Sequence, residues 1–272
     1  MAETRSRTGA VLVTGASSGI GRAVCDRLAA GGRRVFGGVR RAGDAERLRS
    51  AGIEAVRLDV TDPASVRDAV RTIEGALGNE PLAGLVNNAG VAAIGPLEQL
   101  PLDAFRNVFE VNVLGAAAVT AAFLPRLRAA RGRIVMISSV SAVFAAPLFG
   151  AYSASKAALE TLSDGLRREL RPHGVGVTVI RPGPIRTPIW QKFDAEAARA
   201  YKEGPYGAQA AKVLGAVRSA ERNAAAPELV ARAVVRALEA RRAPRIVLVS
   251  NRPWFHRLVA GLPRWLGDIL VG

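Results

Sequence analysis

Apolar and β-branched residues cluster in seven short runs along this chain, at 10–14, 34–39, 53–58, 84–87, 133–138, 175–181 and 245–249. Between most of them lie longer stretches whose apolar positions recur at helical spacing, near 19–31, 44–51, 62–77, 101–130, 151–171 and 226–240. Asp62-Pro63 reads as a helix start, with an acceptor at the cap and proline at the first helical position. Strands separated by helices cannot pair through tight hairpins; they pair in parallel through right-handed crossovers, leaving a sheet covered on both faces. The pattern therefore predicts a doubly wound α/β fold with a seven-stranded parallel sheet and helices on both faces. No Pro/Gly/Ser-rich break divides the 272 residues, so one domain spanning 1–272 is expected. Such folds bind ligands at the carboxyl ends of their strands, which directs attention to the strand-to-helix turns.

The first of those turns reads Thr14-Gly15-Ala16-Ser17-Ser18-Gly19-Ile20-Gly21. Glycines there let the backbone approach a pyrophosphate, and the following helix offers unpaired N–H groups and the positive end of its dipole. At the end of the second strand, where NAD-binding sheets place an acid for the ribose 2′-hydroxyl, Val39 is followed by Arg40 and Arg41. A guanidinium can grip a 2′-phosphate through two hydrogen bonds, so NADP(H) is preferred, with NAD(H) as the second cofactor and a solvated loop arginine as the plain alternative. Asp59, followed by Val60 at the end of the third strand, can accept from an adenine amino group or cap the next turn. Ser138-Ser139 closes the fifth strand, and Tyr152-Ser153-Ala154-Ser155-Lys156 opens a long helix. Tyr152 and Lys156 share a helix face. A free phenol, with a pKa near ~10, is a poor base at neutral pH. A cation within ~4–6 Å lowers an acid's pKa by roughly 1–3 units, so this lysine is what a catalytic tyrosine needs.

In this order the motifs resemble the short-chain dehydrogenase/reductase family: the glycine turn, Asp59, Asn87-Asn88-Ala89-Gly90, Asn112, Ser139, Tyr152 with Lys156, and Pro182-Gly183. The likeness runs from about residue 8 to the last strand, and Ser139 lies 13 residues before Tyr152, a common spacing of the family's pair. It implies a single-domain Rossmann-type fold and an NAD(P)-dependent enzyme interconverting an alcohol and a carbonyl by hydride transfer. In that family Tyr152 would exchange the proton with the substrate oxygen and Ser139 would steady the charge developing there. Lys156 would depress the phenol's pKa and hold the nicotinamide ribose. Asn112 would anchor a water leading from Lys156 to solvent. Gly15, Ser17, Ser18, Gly19, Ile20, Gly21, Arg40, Asp59, Val60, Asn88, Ala89 and Gly90 would line the adenosine, pyrophosphate and ribose. Pro182, Gly183, Ile185 and Thr187 would hold the nicotinamide end. The 183–188 segment and the residues following Lys156 resemble the branch acting on hydroxysteroids, retinoids and similar lipophilic alcohols; Ala142, where many relatives carry glycine, departs on the substrate side. A homodimer or homotetramer through the 101–130 and 151–171 helices is implied by the family alone.

Charge and composition modify the picture at the edges. With 38 Lys+Arg against 23 Asp+Glu the net charge is +15, yet the arginines come in scattered pairs, which favours solvated helix faces over a nucleic-acid groove. Cys25 is the only cysteine and reads as a core residue. The polar start predicts no signal peptide, no stretch is expected to reach the ~20 apolar residues of a membrane span, and a reducing, cytoplasmic setting is expected. Residues 186–223 read as a lid over an apolar pocket, carrying Trp190, Phe193, Tyr201 and Tyr206, with Gly204 and Gly207 permitting movement. The tail, 251–272, spaces Trp254, Phe255, Leu258, Leu262, Trp265 and Ile269 amphipathically. It could pack on the core, meet a partner, or touch a membrane surface. Against the enzyme stands a cofactor-sensing regulatory or interaction protein without turnover.

Overall fold

The computed structural model describes residues 9–188, 201 and 204–254. Seven strands run β1 Ala10–Val13, β2 Val35–Val39, β3 Glu54–Arg57, β4 Leu82–Asn87, β5 Arg133–Ile137, β6 Gly176–Pro182 and β7 Ile246–Val249. They form one sheet in the order β3-β2-β1-β4-β5-β6-β7, every neighbouring pair parallel. Strands β1, β2, β4 and β5 are buried along their whole length, as expected of strands with both faces covered. That explains why their sequences read as continuous apolar runs rather than alternating ones. The chain order reverses between β1 and β4, which opens a crevice at their carboxyl ends.

On one face lie α1 Gly19–Ala30, α2 Ala42–Arg49 and α8 Pro227–Glu239, whose Val24, Leu28, Leu48, Val230 and Val234 share a core with β1 and β5. On the other lie α3 Pro63–Leu77, α5 Ala116–Ala129 and α6 Gly150–Leu170, packed through Ile73, Phe123, Leu127 and Leu159. Helix α3 begins as predicted: the Asp62 carboxylate accepts from Ala64 N at 2.8 Å, and Pro63 occupies the first turn.

Three expectations need correction. The helix expected at 101–130 is α4 Leu102–Phe109, a π-helical turn Glu110–Gly115 and α5 in succession. Hydrophobic spacing cannot register a π turn because the apolar stripe continues across it. The same run, Leu102–Ala129, has a mean hydropathy of 1.6 over its most apolar window and is long enough to cross a membrane. Its packing against α3, β4 and α6 accounts for that apolar character in the way a core helix does. The segment expected to form a lid, finally, contains a helix not expected from the sequence, α7 Gly207–Arg222, burying Ala210, Val213 and Leu214. It belongs to a third apolar cluster, separate from both sheet faces, with Ile94, Leu148, Phe149, Tyr152 and Tyr201. Trp190, Phe193 and the tail beyond Trp254 lie outside the described residues; Trp254 itself is exposed.

Candidate active site

The glycine turn is shaped by contacts that leave no room for side chains. Gly15 has a φ of 63°, a left-handed conformation that favours glycine. A Cβ at Gly21 would sit 2.3 Å from the Gly15 carbonyl oxygen and 2.4 Å from Asn88 Nδ2. Thr14 Oγ1 accepts from the backbone N–H groups of Asn88 and Ala89, each at 3.0 Å, and Asn88 Nδ2 donates to the carbonyls of Thr14 and Gly15 at 3.0 Å. The turns after β1 and β4 are thereby one unit. Ser18 takes the cap position of α1 without a side-chain cap bond, which leaves that helix end's N–H groups available to an anion. From the far side, the segment after β6 folds over the same turn. Gly183 N donates to Val249 O, Ile185 bridges to Ala225, and a Cβ on Gly19 would meet the Thr187 methyl at 3.0 Å. Partial burial raises the Asp59 carboxyl, but two bonds from Thr61 bring it below its usual range, and Arg40, exposed at the end of β2, adds to the lowering.

At the other end of the crevice, Tyr152 and Lys156 rise from the first turns of α6, both buried. The Lys156 ammonium lies 5.8 Å from the centroid of the Tyr152 ring and donates to Ile137 O at 2.8 Å. Burial pushes the Tyr152 phenol up to about 12, and its hydrogen bond with Ser139 lowers it only in part. Burial likewise brings Lys156 down to about 8, against the opposing effect of Glu160. Ser139 caps a short 3-10 turn, accepting from Ser141 N at 3.1 Å. Gly90 lies nearby: a Cβ on it would be 3.3 Å from Asn112 Oδ1 and 3.6 Å from Lys156 Nζ.

The sequence of residues 9–198, well over half of the chain, matches the family model described as short chain dehydrogenase. This protein belongs to the short-chain dehydrogenase family. It is 40% identical over 228 residues to an NADPH-dependent 3-dehydrocapnine reductase of Ornithobacterium rhinotracheale, covering 81% of this chain and 80% of the relative. It is 42% identical over 183 residues to mouse retinol dehydrogenase 5, covering 66% of this chain and 57% of that longer protein. A solved short chain dehydrogenase/reductase from Burkholderia phymatum, in complex with NAD, superposes with a TM-score of 0.80 at 27% identity, over 97% of this chain and 96% of the other. The chain is an NAD(P)-dependent oxidoreductase of this family.

For a short-chain dehydrogenase, then, the expected positions largely converge. Gly15, Gly19, Gly21, Asn88, Ala89 and Thr187 surround the α1 end, and Ser139, Tyr152, Lys156, Gly90 and Asn112 meet beside the β5 end. Ser17 and Ile20 are partly buried in the turn, and Pro182 ends β6. Two of the expected side chains are engaged by the protein itself. Val60 is packed into the core with Val111 and Ala116, so only its backbone is left for adenine. The Asn112 amide is committed to the protein: Oδ1 accepts from Val91 N, and Nδ2 donates to Val91 O and Ser155 Oγ. Its side chain braces the 88–91 loop to α6. Ala142 lines a cavity with Glu160, Asp164 and Arg181. The reading missed Thr14 as the hinge of the two turns; a threonine at a strand end carries no distinguishing pattern. It also missed the Ser138–Glu160–Arg181 group, whose members are far apart in sequence.

Proposed function

We propose that this chain interconverts a lipophilic ketone or aldehyde and its alcohol with NADP(H), Tyr152 acting as the general acid or base. The observation carrying this reading is the burial of Tyr152, bonded to Ser139 and beside Lys156, within the third apolar cluster. The glycine turn fits a dinucleotide, because it leads into the α1 end, whose N–H groups have no side-chain cap and can meet a phosphate. The α1 N–H groups with Ser17, Ser18, Gly19, Ile20 and Gly21 would hold its pyrophosphate, Asp59 and Val60 its adenine, and Lys156 and Thr187 its nicotinamide side. When bound, that cofactor supplies or accepts the hydride. At neutral pH the buried phenol is held as the acid, the form that donates a proton to a carbonyl oxygen. Ser139 steadies the oxygen that gains charge. The Lys156 ammonium compensates the phenolate left behind. In oxidation the same proton moves in the reverse sense.

Arg40 after Val39, with no acid at that strand end, supports NADP(H), as does the name of the 3-dehydrocapnine reductase. Ile94, Leu148, Phe149, Val213 and Leu214 around Tyr152 support an apolar substrate, in keeping with the names of retinol dehydrogenase 5 and of bovine 17-beta-hydroxysteroid dehydrogenase type 6 among the relatives. Exposed Leu102 and Leu114 on the α4–α5 run support self-association.

The test is a panel of all-trans-retinal, androstenedione and 2-octanone with NADPH or NADH, followed by cofactor absorbance, on wild type and Tyr152→Phe. The substitution is expected to cut kcat by ~10²–10⁴-fold while NADPH binding, read by fluorescence, stays within about twofold. Near-normal turnover in the variant would end the assignment of Tyr152. A wild type that binds NADPH but turns over none of the panel would favour the sensing protein.

A further inference from the structure

Three consecutive residues at the end of β5 are tied to three side chains along one stripe of α6. The Ile137 carbonyl accepts from Lys156 Nζ at 2.8 Å, Ser138 Oγ donates to Glu160 Oε1 at 2.7 Å, and Ser139 is hydrogen-bonded to Tyr152. Tyr152, Lys156 and Glu160 follow one another at four-residue spacing, so each bond falls one helical turn from the next. From the opposite side Arg181 of β6 grips the same carboxylate, Nε to Oε1 at 3.0 Å and Nη2 to Oε2 at 2.5 Å. The side chains of this pair are only 14% and 15% exposed. A largely buried pair of this kind is weak evidence of a stabilising role, since desolvation offsets much of the attraction. Its position therefore calls for another explanation, and the neighbouring acid–base pair supplies one.

We propose that Glu160 is a positioning residue of the active site: held by Arg181, its carboxylate locks the 137–139 segment onto the Tyr152–Lys156 face of α6 and sets a fixed anion one turn from the lysine ammonium. The first effect fixes Ser139 relative to Tyr152. The second favours the charged lysine in a place where burial disfavours it. The groups around the two side chains are few. Lys156 faces Tyr152 and Glu160 on its own helix, the Ile137 carbonyl on β5, and the neutral Asn112 beside Gly90. Glu160 faces Arg181 from β6 and Ser138 just after β5. It shares a cavity of about 230 Å³ with Asp164 on its own helix and Arg245 before β7, two residues that are bonded to each other. The anion's effect on Lys156 runs upward, against the downward effect of burial. Removing it should lower the lysine midpoint further.

This inference rests on the acid–base reading of Tyr152 and Lys156, but its first measurement does not require turnover. The chain has four lysines, Lys156, Lys192, Lys202 and Lys212, so titration of ¹³Cε-lysine signals by NMR can follow each one in the whole protein. Wild type should show one lysine titrating well below the others, and Lys156→Met should identify it. Glu160→Gln keeps an oxygen for Ser138 and removes the charge; the Lys156 midpoint should fall by about 1 pH unit. Because that variant strands Arg181, a second variant, Glu160→Gln with Arg181→Met, removes both charges and should shift the midpoint in the same direction. In whichever variant folds, an unchanged midpoint would overturn the proposal. With the best carbonyl of the panel, the basic limb of kcat should move to lower pH alongside the midpoint, and a limb that stays put counts against it. If wild type turns nothing over, the catalytic reading fails by itself, and the lysine titration still decides the role of Glu160.

Discussion

A phenol and an ammonium buried side by side do not automatically share charge. The four-residue spacing of Tyr152 and Lys156 leads one to expect a depressed phenol, yet among the protein groups burial dominates and pushes Tyr152 up to about 12 and Lys156 down to about 8. Both move toward the neutral form, because a low-dielectric interior disfavours charge of either sign. One of the lysine's three N–H donors goes to Ile137 O, which a sequence cannot reveal. At the crevice mouth the logic is the reverse, since Arg40 is exposed and charge there is cheap to keep. Arg40→Asp should lower the NADP(H)/NAD(H) ratio of kcat/KM by roughly 10–100-fold, since a charge-assisted hydrogen bond contributes ~1.5–3 kcal/mol. Steady-state kinetics with both cofactors would check it, and an unchanged ratio would show that another residue selects the cofactor.

At the level of elements, the glycine turn shows how a short motif becomes a surface. Its spacing was readable, but the reason for each glycine lies in what comes next to it, above all Asn88 from the turn after β4. Gly21→Ala would place a methyl against two atoms that hold the turns together, and overpacking of this kind costs about 1–3 kcal/mol. Gly43, in α2, has no atom within 4 Å of its would-be Cβ, so Gly43→Ala should leave stability unchanged or raise it by ~0.5–1 kcal/mol. Thermal unfolding of the two variants side by side should therefore give opposite shifts or a loss in Gly21→Ala alone; equal behaviour would refute the packing argument. The strands were legible because β1, β2, β4 and β5 are buried along their whole length and β3, β6 and β7 still carry buried apolar residues, and Asp62-Pro63 announced α3. The π turn at 110–115 and α7 were not legible. The first preserves the apolar stripe, and the second buries only three apolar residues in a segment punctuated by glycine.

For the molecule as a whole, two cores flank the sheet and a third, smaller one closes over Tyr152. Many arginines that make the chain basic are paired within it, as Arg34 is with Glu54 and Glu80, and Arg126 with Glu74. Cys25 lies in the core beneath α1, where burial first, and then Asp26, push its thiol up to about 12 although Arg22 opposes them. As the chain's one cysteine, it reports on opening of that core. Modification by an aromatic disulfide reagent should be slow in the native protein and become slower with saturating NADPH, by a factor of about 1 + [L]/Kd when opening excludes the cofactor. Reaction at the rate of a free thiol would contradict the packing of α1 against α8.

What the residues alone determined is the succession of elements and the identity of the groups that meet in the crevice, because burial on both faces, capping and turn chemistry are local and leave a pattern along the chain. Only the tertiary structure decided how those groups are charged and held. The commitment of the Asn112 amide to Val91 and Ser155, the Thr14 link between two turns and the Glu160–Arg181 pair behind Lys156 all join residues distant in sequence. Hydrogen bonding and desolvation depend on what surrounds an atom in space, and no periodicity along the chain encodes that.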